Sequence, residues 1–280
     1  LDLPDRRDRE EILKIHIKKK KVEPAVDLAV IAARTPGFSG ADLYSVMNEA
    51  AILAARQDKK ELGQIDLINA VEKVMIGPER QSHIMSEPEK KKVAYHEAGH
   101  ALLSSLLPYS DPVHKVSIIS RGTAGGFTMK IPLEDKHLPT KKSFLDHLVV
   151  FLGGYATEEI IFNDISTGPS NDLEVATNLA REMVTKYGMS DNIGPLNTTP
   201  HPKVVFGSVA PGDTSPAFQA RIDSEVERLM KDAHTRAHQL INENRNILDA
   251  IANKLIEVET LEQDAYNEII KSFGLNPKTA

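Results

Sequence analysis

A chain of 280 residues with 41% apolar side chains, no cysteine, no tryptophan and a formal net charge of −6 has material for two ordinary cores and no means of stapling them with disulfides. The charge carries no footprint for nucleic acid, no signal peptide opens the sequence, and no apolar run approaches the ~18 residues of a membrane span. Thiolate ligands being absent, any metal must be held by His, Asp or Glu.

In chain order, apolar periodicity at 6–20, 24–34, 40–57 and 65–76 predicts a four-helix bundle, and hence a first domain over residues 1–79. The basic run from Lys18 to Lys21 reads as the solvated end of the first helix, where cations are favoured. Thr35-Pro36-Gly37 breaks the pattern, Ser39 and Asp42 have capping-box spacing, and the stripe Ala50, Ala51, Ala54, Ala55 suits close helix packing. A charged stretch with Pro and Gly follows Ile76 and marks a boundary, leaving 80–280 as a second domain. There, Ser86 and Glu89 with Pro88 start a helix near Glu87 that runs to Pro108. Segments 113–119 and 127–131, joined by a glycine-rich turn, predict a small antiparallel ribbon. An apolar helix containing Gly153 and Gly154 comes next, its glycines implying close backbone contact with the helix before it at Ala98 and Gly99. A further helix runs from about Asn171 to Tyr187, and a loop rich in Pro, Gly, Asn and Thr covers 189–216. The chain closes with a long amphipathic helix from Phe218 to Leu240, another over 245–257, and a last one capped by Thr260 and Gln263 and ending by Gly274. The fold class is mainly α.

His96-Glu97-Ala98-Gly99-His100 falls inside one of these helices. Residues four apart lie one above the other, about 5.4 Å along the axis, so two imidazoles converge on one ion while Glu97 sits at the rim. In zinc hydrolases such a metal acidifies a bound water, and the carboxylate takes its proton and later passes it to the leaving amine. Chance produces such a pentad at odds on the order of a few per cent, and Gly99, costing roughly 1 kcal/mol inside a helix, implies a close neighbour. Catalytic zinc takes three protein ligands and leaves one position open. Leu106 occupies the place where a third histidine would extend the motif, so the remaining ligand comes from afar, with Glu158, Glu159 and Asp172 as candidates. Asp172 also reads as a first-turn carboxylate facing a helix dipole, and the residues by themselves favour that role for it. His234 and His238 share the four-residue spacing but lack an adjoining glutamate, so no second metal site is expected.

Arg34-Thr35-Pro36-Gly37-Phe38-Ser39-Gly40-Ala41-Asp42-Leu43, followed by Asn48-Glu49-Ala50-Ala51, resembles the helical lid subdomain of AAA+ ATPases of the FtsH type. With His-Glu-Ala-Gly-His behind it, essentially the whole chain resembles the cytosolic half of an FtsH-family membrane-anchored zinc metalloprotease of peptidase family M41. The resemblance implies Asp172 as third zinc ligand, because Thr167-Gly168-Pro169-Ser170-Asn171-Asp172 is similar to the family's Thr-Gly-Ala-Ser-Asn-Asp, with Pro169 in place of alanine. Glu158 then becomes a carboxylate that orients a ligating histidine. Gly40 and Ala41 match the lid position that lies against the adenine of ATP, but no Gly-x-x-x-x-Gly-Lys-Ser/Thr occurs, so ATP and Mg2+ are expected only in a full-length protein. The ribbon edge at Gly126, Phe127, Thr128 and Met129 is expected to hold unfolded polypeptide by main-chain hydrogen bonds.

The implied function is a zinc-dependent endopeptidase that processively degrades unfolded or membrane-extracted proteins for quality control, coupled to an ATP-driven unfoldase. The implied assembly is a homohexamer on the cytoplasmic side of the inner (plasma) membrane, held there by segments outside this sequence. No nucleic acid partner is expected. The competing reading is a zinc-stabilised helical adaptor without catalysis. Glu97 argues against it, since a purely structural site closes all four positions and needs no general base.

Overall fold

The computed structural model describes residues 2–18, 20–78, 85–121, 125–132, 138–199, 203–205, 208–210 and 215–278. Four helices form the N-terminal part: α1 (Arg6–Ile17), α2 (Leu28–Ala33), α3 (Gly40–Arg56) and α4 (Gln64–Ile76). α2 is shorter than the 24–34 periodicity suggests because its cap is Asp27, whose carboxylate accepts the Ala29 N–H at 2.8 Å. α3 starts where Ser39 and Asp42 cap each other, the Ser39 N–H donating to Asp42 Oδ2 at 2.8 Å and the Asp42 N–H to Ser39 Oγ at 3.3 Å. Leu13, Ile31, Leu43, Met47 and Leu67 fill this bundle's core. Arg9 is buried with them, and its guanidinium donates twice to the Ala32 carbonyl, at 2.9 and 3.1 Å, closing the C-terminal end of α2.

A second apolar cluster, from Ala94 to Ile270, surrounds α5 (Glu87–Leu106). Ser86 caps α5 and Pro88 occupies its first turn. The helix stops because Leu107 is extended (φ −89°, ψ 125°) ahead of Pro108. Ala94, Ala98, Ala101, Leu102 and Leu103 are all inaccessible, so α5 is wrapped by α6 (Lys141–Phe151), α7 (Gly153–Phe162), α9 (Pro216–Glu243) and α10 (Arg245–Val258). The boundary expected between 79 and 80 falls within 79–84, and the middle of the glycine-rich turn at 122–124; both lie outside the described residues. No described helix is long and apolar enough to cross a membrane.

Where α5 crosses α7 the backbones touch. A Cβ on Gly99 would stand 2.2 Å from Thr157 Oγ1 and 2.7 Å from the Gly153 carbonyl oxygen. Gly99→Ala would gain about 1 kcal/mol of helix propensity, but overpacking against immovable backbone costs about 1–3 kcal/mol, so a net loss of stability is expected by denaturant titration. Gly153 and Gly154 open α7 rather than lying inside one long helix, because Leu152 (φ −80°, ψ 1°) breaks the apolar stretch into two.

The ribbon becomes a three-stranded antiparallel sheet, in the order β2 (Phe127–Lys130), β1 (Val113–Ser117), β5 (Thr260–Glu262). Residues 260–262, expected as a helix cap, pair with β1 instead: Lys115 faces Glu262, Val116 faces Leu261 and Ser117 faces Thr260. Glu259 in the left-handed region (φ 61°) turns the chain back alongside β1, and three residues are too short to carry a period-2 pattern. α11 (Gln263–Ser272) follows directly. β2 is an outer strand, its second edge unpaired among the described residues. The segment 189–216 is not loop throughout, since β3 (Lys203–Val205) and β4 (Ser208–Ala210) pair as a hairpin. The N-terminal bundle meets this sheet through buried charge. Glu72 of α4 accepts from Lys115 Nζ at 2.8 Å and from Arg121 Nη2 at 3.2 Å, and Glu262 closes on Lys115 at 2.8 Å.

Candidate metal centre

His96 and His100 present their Nε2 atoms to each other at 3.1 Å, from successive turns of α5. Asp172, in the first turn of α8 (Ser170–Thr185), brings Oδ2 to 3.3 Å from both. Atoms bound at 2.0–2.2 Å to a tetrahedral ion stand about 3.3–3.6 Å from one another, so this triangle, slightly tight on its 3.1 Å edge, approaches three of the four positions around zinc. Among the described residues it is the one group of three His, Asp or Glu side chains close enough to hold a metal ion. Asp172 is therefore both a first-turn carboxylate and a side chain facing the imidazoles; the two readings of it coincide.

The outer nitrogens are tied down. His100 Nδ1 lies 2.7 Å from the Val150 carbonyl oxygen, and since a carbonyl only accepts, Nδ1 carries hydrogen and a neutral ring leaves a lone pair on Nε2. His96 Nδ1 lies 2.9 Å from Glu158 Oε1, and Glu158 Oε2 accepts the Ser166 N–H at 2.8 Å. Glu158 therefore touches the far side of the His96 ring and fixes the segment leading into α8. Glu159 turns outward to His234, at 2.8 Å. Of the three candidate carboxylates, only Asp172 meets both Nε2 atoms. Gly154 is needed for a reason its helix context does not disclose: a Cβ there would stand 2.2 Å from His96 Cε1, inside the ring's own space. Val150, contributing only its carbonyl, left no signal in the sequence.

His96 is the imidazole on which the neighbouring carboxylates act. Burial would lower its pKa, yet the Asp172 and Glu158 carboxylates raise it to about 10. Burial works against Asp172 as well, but both imidazoles hold its carboxyl well below the usual range. Glu97 is 6% exposed, and burial pushes its carboxyl up, with His96, His100 and the Thr128 hydroxyl opposing. Thr128 Oγ1 donates to Glu97 Oε2 at 2.8 Å. On the other side, a Cβ on Gly126 would meet Glu97 Cγ at 2.9 Å. Thus Gly126 and Thr128, singled out for the ribbon edge, also seat Glu97, while Phe127 and Met129 between and beyond them are buried.

The centre opens into a cleft of about 930 Å³ whose walls include Met75 and Ile76 of α4, Phe151, and Lys130 of β2. Gly40 and Ala41 lie elsewhere, in the first turn of α3, and neither lines this cleft. Tyr155 stacks edge-on against His234 at 5.6 Å, and His234 and His238 stand 6.1 Å apart between ring centroids; even with Glu159 beside His234 they do not form a group of three close enough to hold a metal ion.

The sequence profile of peptidase family M41 matches residues 83–269, and that of the AAA+ lid domain matches residues 25–69. The chain is 48% identical to the ATP-dependent zinc metalloprotease FtsH 1 of Thermoanaerobacter sp. (strain X514), over 95% of this chain and 44% of that protein. It is 49% identical to the protein of the same name from Sphaerobacter thermophilus, over 94% and 41%. With the ATP-dependent zinc metalloprotease FtsH of Bacillus subtilis (strain 168) it shares 43% identity, over 96% and 43%. The chain thus spans less than half the length of these relatives.

Proposed function

The chain belongs to peptidase family M41, and on that premise we propose that His96, His100 and Asp172 hold a zinc ion, that Glu97 is the general base, and that the centre cleaves peptide bonds of unfolded polypeptides. The observation that carries this reading is the triangle of ligand atoms at 3.1–3.3 Å, with one side left open beside a buried glutamate. Zinc bound there would supply Lewis acidity, lowering the pKa of a water in the open position. Glu97, steadied by the Thr128 hydroxyl, takes a proton from the attacking water and hands it to the leaving amine. Glu158 and the Val150 carbonyl keep both imidazoles turned inward. The edge of β2 left unpaired among the described residues, joined to Glu97 through Thr128, suits an extended peptide held by main-chain hydrogen bonds, a mode with little demand on sequence.

For the longer protein we propose a lid domain over 1–79 and a peptidase domain over 80–280, with Gly40 and Ala41 against the adenine of ATP. We propose likewise a homohexamer working at the cytoplasmic side of the inner membrane, reached through segments outside this sequence. These rest on the resemblance of the lid and peptidase motifs, and light scattering checks the hexamer. The adaptor reading without catalysis is disfavoured by a site with three side chains among the described residues, where a closed structural site needs four.

Metal analysis together with casein digestion tests the function. The chain is expected to carry one zinc and to degrade casein without ATP, to leave tightly folded proteins intact, and to stop when a chelator strips the metal. A full complement of zinc with no casein cleavage would favour the adaptor.

A further inference from the structure

β2 carries one charged side chain in the cleft that neither the metal triangle nor the general base uses. Thr128 and Lys130 are two residues apart, so they project from the same face of the strand, separated by about 7 Å along it. Thr128 meets Glu97, and Lys130 is the next side chain on that face. It lines the cleft with His96, His100 and Phe151, half-buried, its Nζ 5.6 Å from the centre of the Phe151 ring. Among the described residues, Nζ has no hydrogen-bond or ion-pair partner, although Asp111, Asp172 and Glu97 are near enough to act on its charge. Burial lowers its pKa and these acids oppose that shift. An ammonium with three donors, half withdrawn from water and lacking an acceptor, gains most from a carboxylate that arrives with the ligand.

We propose that Lys130 forms a substrate subsite that accepts an acidic side chain of the bound polypeptide, close to the scissile bond. This rests on the peptidase reading and on β2 as the peptide-holding edge. A peptide paired along β2 turns alternate side chains toward the cleft. One of them lies over Thr128 and Glu97, where the bond is cut, and another beside Lys130. The main chain would then give general affinity, and Lys130 would bias where cleavage falls.

Quenched fluorescent peptides with a single cleavage site, carrying Glu, Gln or Lys at each position around it in turn, test the subsite with the chain as it stands. The parent should prefer Glu over Gln at one position by about five- to tenfold in kcat/KM, mostly through KM. Lys130→Met should bring that ratio to one, Lys130→Glu should reverse it in favour of Lys, and Lys130→Arg should keep it. The ratio is read within each variant, so a general loss of activity does not imitate the result; if Lys130→Met does not fold, Lys130→Gln takes its place. A Glu preference that survives Lys130→Met or Lys130→Gln overturns the proposal. So does a parent that shows no preference for Glu over Gln at any position. If the zinc-loaded parent cleaves none of the peptides, the peptidase reading itself fails, an outcome distinct from either.

Discussion

Glu97→Gln is expected to keep one zinc per chain and to lose about 10²–10⁴ of the casein-hydrolysing rate. The amide has nearly the shape of the carboxylate, so it fits between Thr128 and Gly126 and still takes a hydrogen bond from the Thr128 hydroxyl. It touches none of the three proposed ligand atoms, and metal retention has no reason to change. What it lacks is an oxygen able to accept and return a proton. Metal analysis on the same preparation separates this cause from loss of the site. Casein digestion at the parent's rate by the zinc-loaded variant would remove Glu97 from the mechanism.

Replacing Asp172 with alanine should lower zinc affinity more than any change among the carboxylates nearby, since it takes away one of three proposed ligands and the only anion among them. Glu158→Gln should cost about 10–100-fold, because it acts on the ion only through the His96 ring. Competition with a chromogenic chelator measures both. A tight site in Asp172→Ala beside a weak one in Glu158→Gln would reverse the assignment. Acidity bears on the same equilibrium. The Asp172 and Glu158 carboxylates favour the protonated form of His96, and zinc must displace a proton there to reach Nε2. Acidification is therefore expected to weaken zinc binding, and more steeply as further ligands titrate.

The helices and the two ribbon strands were the legible part of the fold, and the three-residue strands were not. Ser39 with Asp42, Ser86 with Pro88, and Pro108 mark helix ends by chemistry confined to four or five residues, and the structure has ends there. β5 has three residues and follows a helix directly; its only distinguishing feature is that Leu261 is buried against β1, a contact with a strand more than a hundred residues earlier. The break at Leu152 is similar. The apolar pattern continues through it, and the turn exists because α7 must lie close enough to α5 for Gly153 to touch Gly99.

The sequence by itself determined the half of the metal centre that is local. Four residues make a little more than one helical turn, so His96 and His100 had to share a face, and the residue next to the first had to stand beside it. Which acid completes the triangle was decided only by tertiary structure, because Glu158, Glu159 and Asp172 are alike in chemistry. The packing of α7 and α8 on α5 sends Glu158 behind the His96 ring, Glu159 out to His234, and Asp172, 76 residues from His96, to the two Nε2 atoms. The Val150 carbonyl, the space kept free by Gly154 and the placing of Lys130 in the cleft belong to the same class. Each is a relation between elements distant in sequence, which no local spacing encodes.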